Sequence, residues 1–351
     1  MTSSTRRPVW IRSHMLVRQV QAVTAGDNSA EFAVPANEGK IKVCFIRSAS
    51  LPRDSGPPRL ELSAVIERDV SAQRYSVLKD LSDGLVPDGI KVPTGLGDPF
   101  DDDGTPLSEI IPPSVKELLA ESTRKLSEVC ATAARALRWR YGLAVPVQAL
   151  ASLGHTFSVD NARWISWRTP GSVRHRMTVS GVPLNDQVRT DLEQMFVAGL
   201  STPLGHQLLY EAEDVAPAHL RSALALSLSA LEVGVKSLIA TVVPDSLWLL
   251  ENLQSPPLNK LMTDYLPRLP IRHHLPGTSA IVMSDALNEE IKKAVTLRNS
   301  LIHRGAAKTD GTWLDTWLVL CRSILYAFDC WAGVPWAAQR VPKRHQELLA
   351  R

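Results

Sequence analysis

An arginine stands where an apolar side chain belongs in the segment DALNEEIKKAVTLRNSLIHRG, residues 285–305. At 100° per residue, Ile291, Ala294, Val295, Leu301 and Ile302 all fall within about 80° of Leu287 and form one apolar stripe. Arg298 falls at about 20°, in the middle of that stripe. A buried guanidinium without partners loses several kcal/mol of solvation, so Arg298 must find a carboxylate or face a polar cleft. Asn299, His303 and Arg304 follow within about a turn and a half, and Gly305 supplies a helix stop. A permanently charged fork, an amide and an imidazole that titrates near neutrality are the groups that phosphate binding and proton exchange need.

Spacing alone does not single this segment out. Arginine, four residues, histidine occurs three times, at Arg298/His303, Arg268/His273 and Arg340/His345. Only the first has Asn after Arg, an amphipathic helix around it and an apolar-rich helix after it. Each residue also has a structural reading. Arg298 could reach a helix carboxylate such as Glu232 or Glu213, and His303 near a helix C-terminus is a favourable macrodipole partner. Asn299 could cap. Glu232, in SALEVGVK, could pair with Lys236 at i,i+4 or fix Arg298. Arg304 could hold phosphate or be solvated. His273 and His274 have ligand chemistry but no matching carboxylate or cysteine spacing, so no metal site and no cofactor are expected.

RNSLIHRG on the penultimate helix of a C-terminal bundle, preceded by an ALE helix, resembles the HEPN superfamily over roughly residues 205–333. The resemblance is to the HEPN ribonucleases of prokaryotic defence and abortive-infection proteins. It implies a homodimer in which two copies of the motif converge on one composite site, and metal-independent cleavage of RNA, tRNA among the possible targets. In that chemistry Arg298 holds the phosphate, Asn299 orients it or the imidazole, and His303 exchanges protons with the ribose 2′-OH and the leaving 5′-oxygen. Arg304 and Glu232 would support the site. RNA is implied as substrate because its 2′-OH is the internal nucleophile. The alternative is a non-catalytic HEPN scaffold that dimerises and senses a ligand or partner through the N-terminal region.

The elements that must position these residues form an α+β chain. Residues 8–80 alternate apolar and polar side chains, as in KIKVCFIRS and RLELSAVIE, which predicts strands in a sandwich or partial barrel. Residues 81–113 are rich in Pro and carry Asp101, Asp102 and Asp103, so a long loop is expected there. Helical periodicity runs from 114 to 140, followed by two short strand-like pieces. A β-rich recognition or regulatory region therefore covers residues 1–185, with an unidentified activator as its possible ligand. A helical domain covers 186–335, and a loosely held basic tail 336–351. Pro217 and Pro244 bracket its longest helix.

The chain has 351 residues, 44% hydrophobic and 21% charged, which excludes a disordered or fibrous protein. A net charge of +3 permits nucleic acid without demanding it. Four scattered cysteines give neither a disulfide framework nor a zinc site. The first twenty residues lack an apolar core, so no signal peptide is expected. Glu232 and Lys236 interrupt the most apolar stretch, so a core helix is expected rather than a membrane span, in a cytoplasmic protein. Walker, GxSxG and HExxH motifs are missing, which disfavours P-loop NTPases, α/β-hydrolases and zincins. Trp313, Trp317, Trp331 and Trp336 read as core or interface anchors. Trp139, Arg140, Trp164, Trp167 and Arg168 interleave aromatics with bases and read as packing rather than as a nucleic-acid surface.

Overall fold

The computed structural model describes residues 6–23, 29–34, 41–48, 59–83, 85, 111–143, 150–168, 180–183, 185–252, 257–304 and 310–350. The chain divides into two compact units. One holds Met1–Arg138 with Leu143–Ser201, the other Trp139–Gly142 with Thr202–Arg351.

The first unit is built on one antiparallel sheet. Its strands are β1 (Arg7–Val23), β2 (Ser29–Val34), β3 (Ile41–Ser48), β4 (Arg59–Val70), β5 (Leu150–Ser158) and β6 (Ile165–Arg168), in the order β2-β3-β4-β1-β5-β6. A short β7 (Ser180–Pro183) pairs parallel with the end of β1. The expected alternation is what buries one face. Ile11 lies opposite Ile66 and Phe157, Val43 opposite Ala64 and Phe45 opposite Leu62, and all seven side chains are buried.

Of the sandwich or partial barrel expected from these strands, the sandwich needs correction: among the described residues there is one open sheet, whose ends are β2 and β6, and no second sheet packs on it. Strand alternation specifies that one face is covered, not what covers it. Here helices meet the sheet. In α1 (Ala72–Ser82) Tyr75 lies under the Arg7 guanidinium, and in α2 (Pro113–Tyr141) Glu121 pairs with Arg68 of β4 at 3.8 Å. α3 (Asp186–Val197) sets Phe196 against Phe32 of β2, ring centroids 5.4 Å apart. That contact places α3 in the first unit, so the change of unit falls after Ser201 and not at 185. Of the expected Pro/Asp-rich loop, residues 84 and 86–110 lie outside the described residues.

On the other face of β1, His14 is half-buried, and burial, then Arg12, then His155 push its pKa down to about 4. An unfolded chain takes up a proton at this imidazole near pH 6.5, the folded chain not until about 4. Stability contributed by the neutral ring is therefore present above 6.5 and lost as pH falls toward 4. His14→Gln should lose less stability than the wild type across that window in denaturant titrations at stepped pH. Parallel losses would refute this assignment.

The second unit is helical: α4 (Leu204–Val215), α5 (Leu220–Val242), α6 (Leu247–Asn252), short helical turns over 258–268, α7 (Asp285–Arg304), α8 (Gly311–Ala332) and α9 (Lys343–Leu349). α5 is long and apolar enough to cross a membrane by length and composition. Leu224, Leu228, Leu231, Val235, Leu238 and Ile239, spaced by threes and fours, are nevertheless buried within the unit. α4 and α5 approach closely because each offers a glycine. A Cβ on Gly205 would lie 3.0 Å from the Ala230 carbonyl oxygen and 3.3 Å from the Gly234 Cα.

Residues 336–350 correct a further expectation, since they are packed rather than loosely held. His345 and Leu349 are buried, the His345 Nδ1 lies 2.7 Å from the Ser323 Oγ of α8, and Ala350 forms a β-bridge with Ile281. The tail's charges hid this in the sequence, because only one residue in three or four turns inward.

Candidate functional site

α7 begins at a serine cap: the Ser284 hydroxyl accepts from the Leu287 N–H at 3.2 Å, and Asp285 sits in the first turn where the helix dipole favours it. The apolar stripe then seats the helix. Leu287, Ile291 and Ala294 are buried, whereas Val295, Arg298 and Leu301 are partly exposed. The stripe thus leaves the core about halfway along, and Arg298 sits at its margin.

What fixes this margin is a triangle of α5, α7 and α8. The Trp313 Nε1 of α8 donates to Glu290 of α7 at 2.9 Å, and the Lys293 ammonium lies 4.8 Å from the Trp313 ring centre. Trp317, one helical turn further and stacked on Trp313, donates to the Ser227 hydroxyl of α5 at 2.9 Å. Trp317 and Trp331 are core residues, Trp313 a half-buried clamp and Trp336 an edge partner of Trp139.

Within the triangle, Arg298 Nη1 donates to Glu232 Oε1 at 2.9 Å, joining α7 to α5. Of the alternatives open from sequence, Glu232 is therefore the carboxylate. Glu213 is taken by Arg322, whose Nη2 and Nε donate to one oxygen at 2.6 and 3.1 Å. Glu232 reaches across to α7 and makes no ion pair with Lys236. The Arg298 side chain is 25% exposed and that of Glu232 38%, so water screens the pair. Such pairs contribute about 0–1 kcal/mol, and the larger effect is orientation. Arg298 Nε also donates to Asn299 Oδ1 at 3.4 Å. Nη2 of Arg298 and the amide nitrogen of the exposed Asn299 have no partner among the described residues. Two donors are thus held at the edge of one helix by a fixed carboxylate.

Position 303 follows 299 by four residues on α7, so the two positions stack on one helix face. The side chains of His303 and Arg304 lie outside what the structure describes. His273 and His274 are exposed, and among the described residues no group of three or more His, Cys, Asp or Glu could hold a metal ion. Trp139 and Trp167 are buried, as packing residues should be, but Trp164 is half-exposed and lies under an arginine, a feature spacing did not separate from the rest.

Sequence reasoning missed a second polar centre in this unit. The Asp329 carboxylate of α8 accepts on one oxygen from Trp139 Nε1 at 2.8 Å and from His206 Nε2 of α4 at 2.7 Å. The Tyr326 hydroxyl donates to the Trp139 carbonyl at 2.6 Å. These groups are buried in a compact core, and the centre reads as structural. Comparison of the chain with protein-family models, with curated proteins and with solved structures returns no match.

Proposed function

We propose that this protein is a metal-independent endoribonuclease of the HEPN type, acting as a homodimer whose two α7 motifs form one composite site. The observation that supports this reading is the margin of α7. Arg298 is oriented by Glu232 and Asn299, keeps an open donor, and is followed by His303 on the face of Asn299.

In this reading Arg298 binds a non-bridging phosphate oxygen and stabilises charge on the phosphorus centre. His303 takes the proton from the 2′-OH as that oxygen bonds to phosphorus. The P–O5′ bond breaks, and a proton from an imidazolium, supplied by the second copy's motif, goes to the leaving 5′-oxygen. The products are a 2′,3′-cyclic phosphate and a 5′-OH, with no change in oxidation state. Glu232 acts as a positioning residue, and Arg304 adds positive charge toward the strand.

The test is incubation of the purified dimer with tRNA and with total RNA in EDTA, followed by analysis of the product ends. Cleavage leaving 2′,3′-cyclic phosphates is expected. Intact RNA after incubation with folded, dimeric protein would overturn the nuclease reading in favour of the scaffold.

A further inference from the structure

The sheet of the first unit carries a cation that nothing in the nuclease reading uses. On β1, Trp10, Arg12 and His14 share one face, and all three are partly exposed. Arg12 lies opposite Thr156 of β5, and its Nε donates to the Thr156 hydroxyl at 3.3 Å. Its guanidinium carbon sits 3.9 Å from the centre of the Trp164 ring, just before β6. Threonine and indole together hold the guanidinium in one orientation and leave both terminal nitrogens without partners among the described residues.

No carboxylate lies within ion-pair distance of Arg12 among the described residues, although the residue is partly buried. The contrast with Arg322 is informative. There Glu213 raises the guanidinium pKa despite burial, whereas burial lowers that of Arg12 with nothing to offset it. Neighbouring His14 cannot offset the charge, because an imidazole is either neutral or positive. A desolvated, fixed and uncompensated arginine stabilises an incoming anion more than a solvated one does.

We propose that Arg12, held by Thr156 and Trp164, is a binding site for the phosphate group of a nucleotide, either free or within an RNA strand. The end of the guanidinium fork matches two phosphate oxygens, and the indoles of Trp10 and Trp164 on the same sheet face offer stacking surfaces for a base. The stacking surfaces favour a nucleotide over an acidic peptide, which has no aromatic base to stack. This site does not rest on the nuclease reading.

The experiment uses the full chain carrying His303→Ala, which slows cleavage in the nuclease reading, and the oligomer is checked for integrity after each titration. Binding of inorganic phosphate, AMP and a short oligouridylate is followed by tryptophan fluorescence and polarisation. Arg12→Gln should weaken binding by about tenfold or more. It should also reduce the slope of log affinity against log salt for the oligomer by about 0.7. Arg12→Lys should restore only part of the affinity, because it keeps the charge and loses the fork. Binding of AMP without the oligomer identifies a free nucleotide as the source, and the reverse identifies a strand; both outcomes support the site.

If Arg12→Gln fails to fold, Thr156→Val is read instead. It releases the guanidinium from its anchor with the charge retained, and a several-fold loss is expected. Affinities unchanged in variants that melt like the parent chain would overturn the proposal. So would a parent chain that binds none of the three probes, or Arg12-dependent binding of an acidic peptide alone.

Discussion

Replacing His303 by Ala is expected to slow RNA cleavage by about 10²–10⁴-fold, the range that a positioned acid/base group contributes. The two copies' imidazoles divide two tasks in the proposed reaction, removal of the 2′ proton and protonation of the 5′-oxygen, and methyl can do neither. RNA affinity should change less than turnover, because Arg298 holds the phosphate in this reading. Arg298→Ala should lower both binding and turnover, and Arg298→Lys should not restore turnover, since a point charge cannot hold Glu232, Asn299 and a phosphate oxygen together. Glu232→Gln separates orientation from charge: it keeps a hydrogen-bond acceptor for Arg298 while removing the ion pair. Its main expected effect is on turnover, with only a small change in melting temperature. Rates measured with defined RNA in EDTA, against protein of matched purity, check the series. Cleavage that survives in His303→Ala with the same product ends would place the chemistry elsewhere.

The largest loss of stability is expected from Asp329→Ala. One carboxylate oxygen accepts from Trp139 Nε1 and His206 Nε2, and the residue is 8% exposed. A carboxylate oxygen only accepts, so Nε2 carries a proton, and His206 Nδ1 is buried without a partner among the described residues. Removing the acceptor leaves two buried N–H groups unsatisfied, and breaking a buried pair in this way costs about 3–5 kcal/mol. Asp329→Asn should cost less, because the amide oxygen can still accept. The check is chemical denaturation of both variants, followed by a signal from the helical unit. A loss below about 1 kcal/mol for the alanine variant would mean that water or a shifted side chain replaces the carboxylate.

Most of the secondary structure was legible in the sequence because it rests on local rules. The helix over 285–304 follows from a stripe of period 3.6 and the glycine after it, and the strands over 41–48 and 59–70 follow from alternation. The unusual place of Arg298 was legible for the same reason: a wheel shows which side chains share a face. Which carboxylate it would meet was not. Glu232 and Glu213 lie on neighbouring helices, and only the packing of α5 against α7, set by Trp317 on Ser227 and Trp313 on Glu290, decides between them.

Tertiary structure alone also decided that the strands form one open sheet, that α3 belongs to it through Phe196, and that a charged C-terminal stretch is seated through His345 and Leu349. Each depends on contacts between residues far apart in the chain, and periodicity carries no information about which element a buried face meets. The sequence by itself determined where helices and strands run and which residues could hold a phosphate. Packing determined which of those residues share a partner, because close approach of side chains is fixed by the whole set of neighbouring elements.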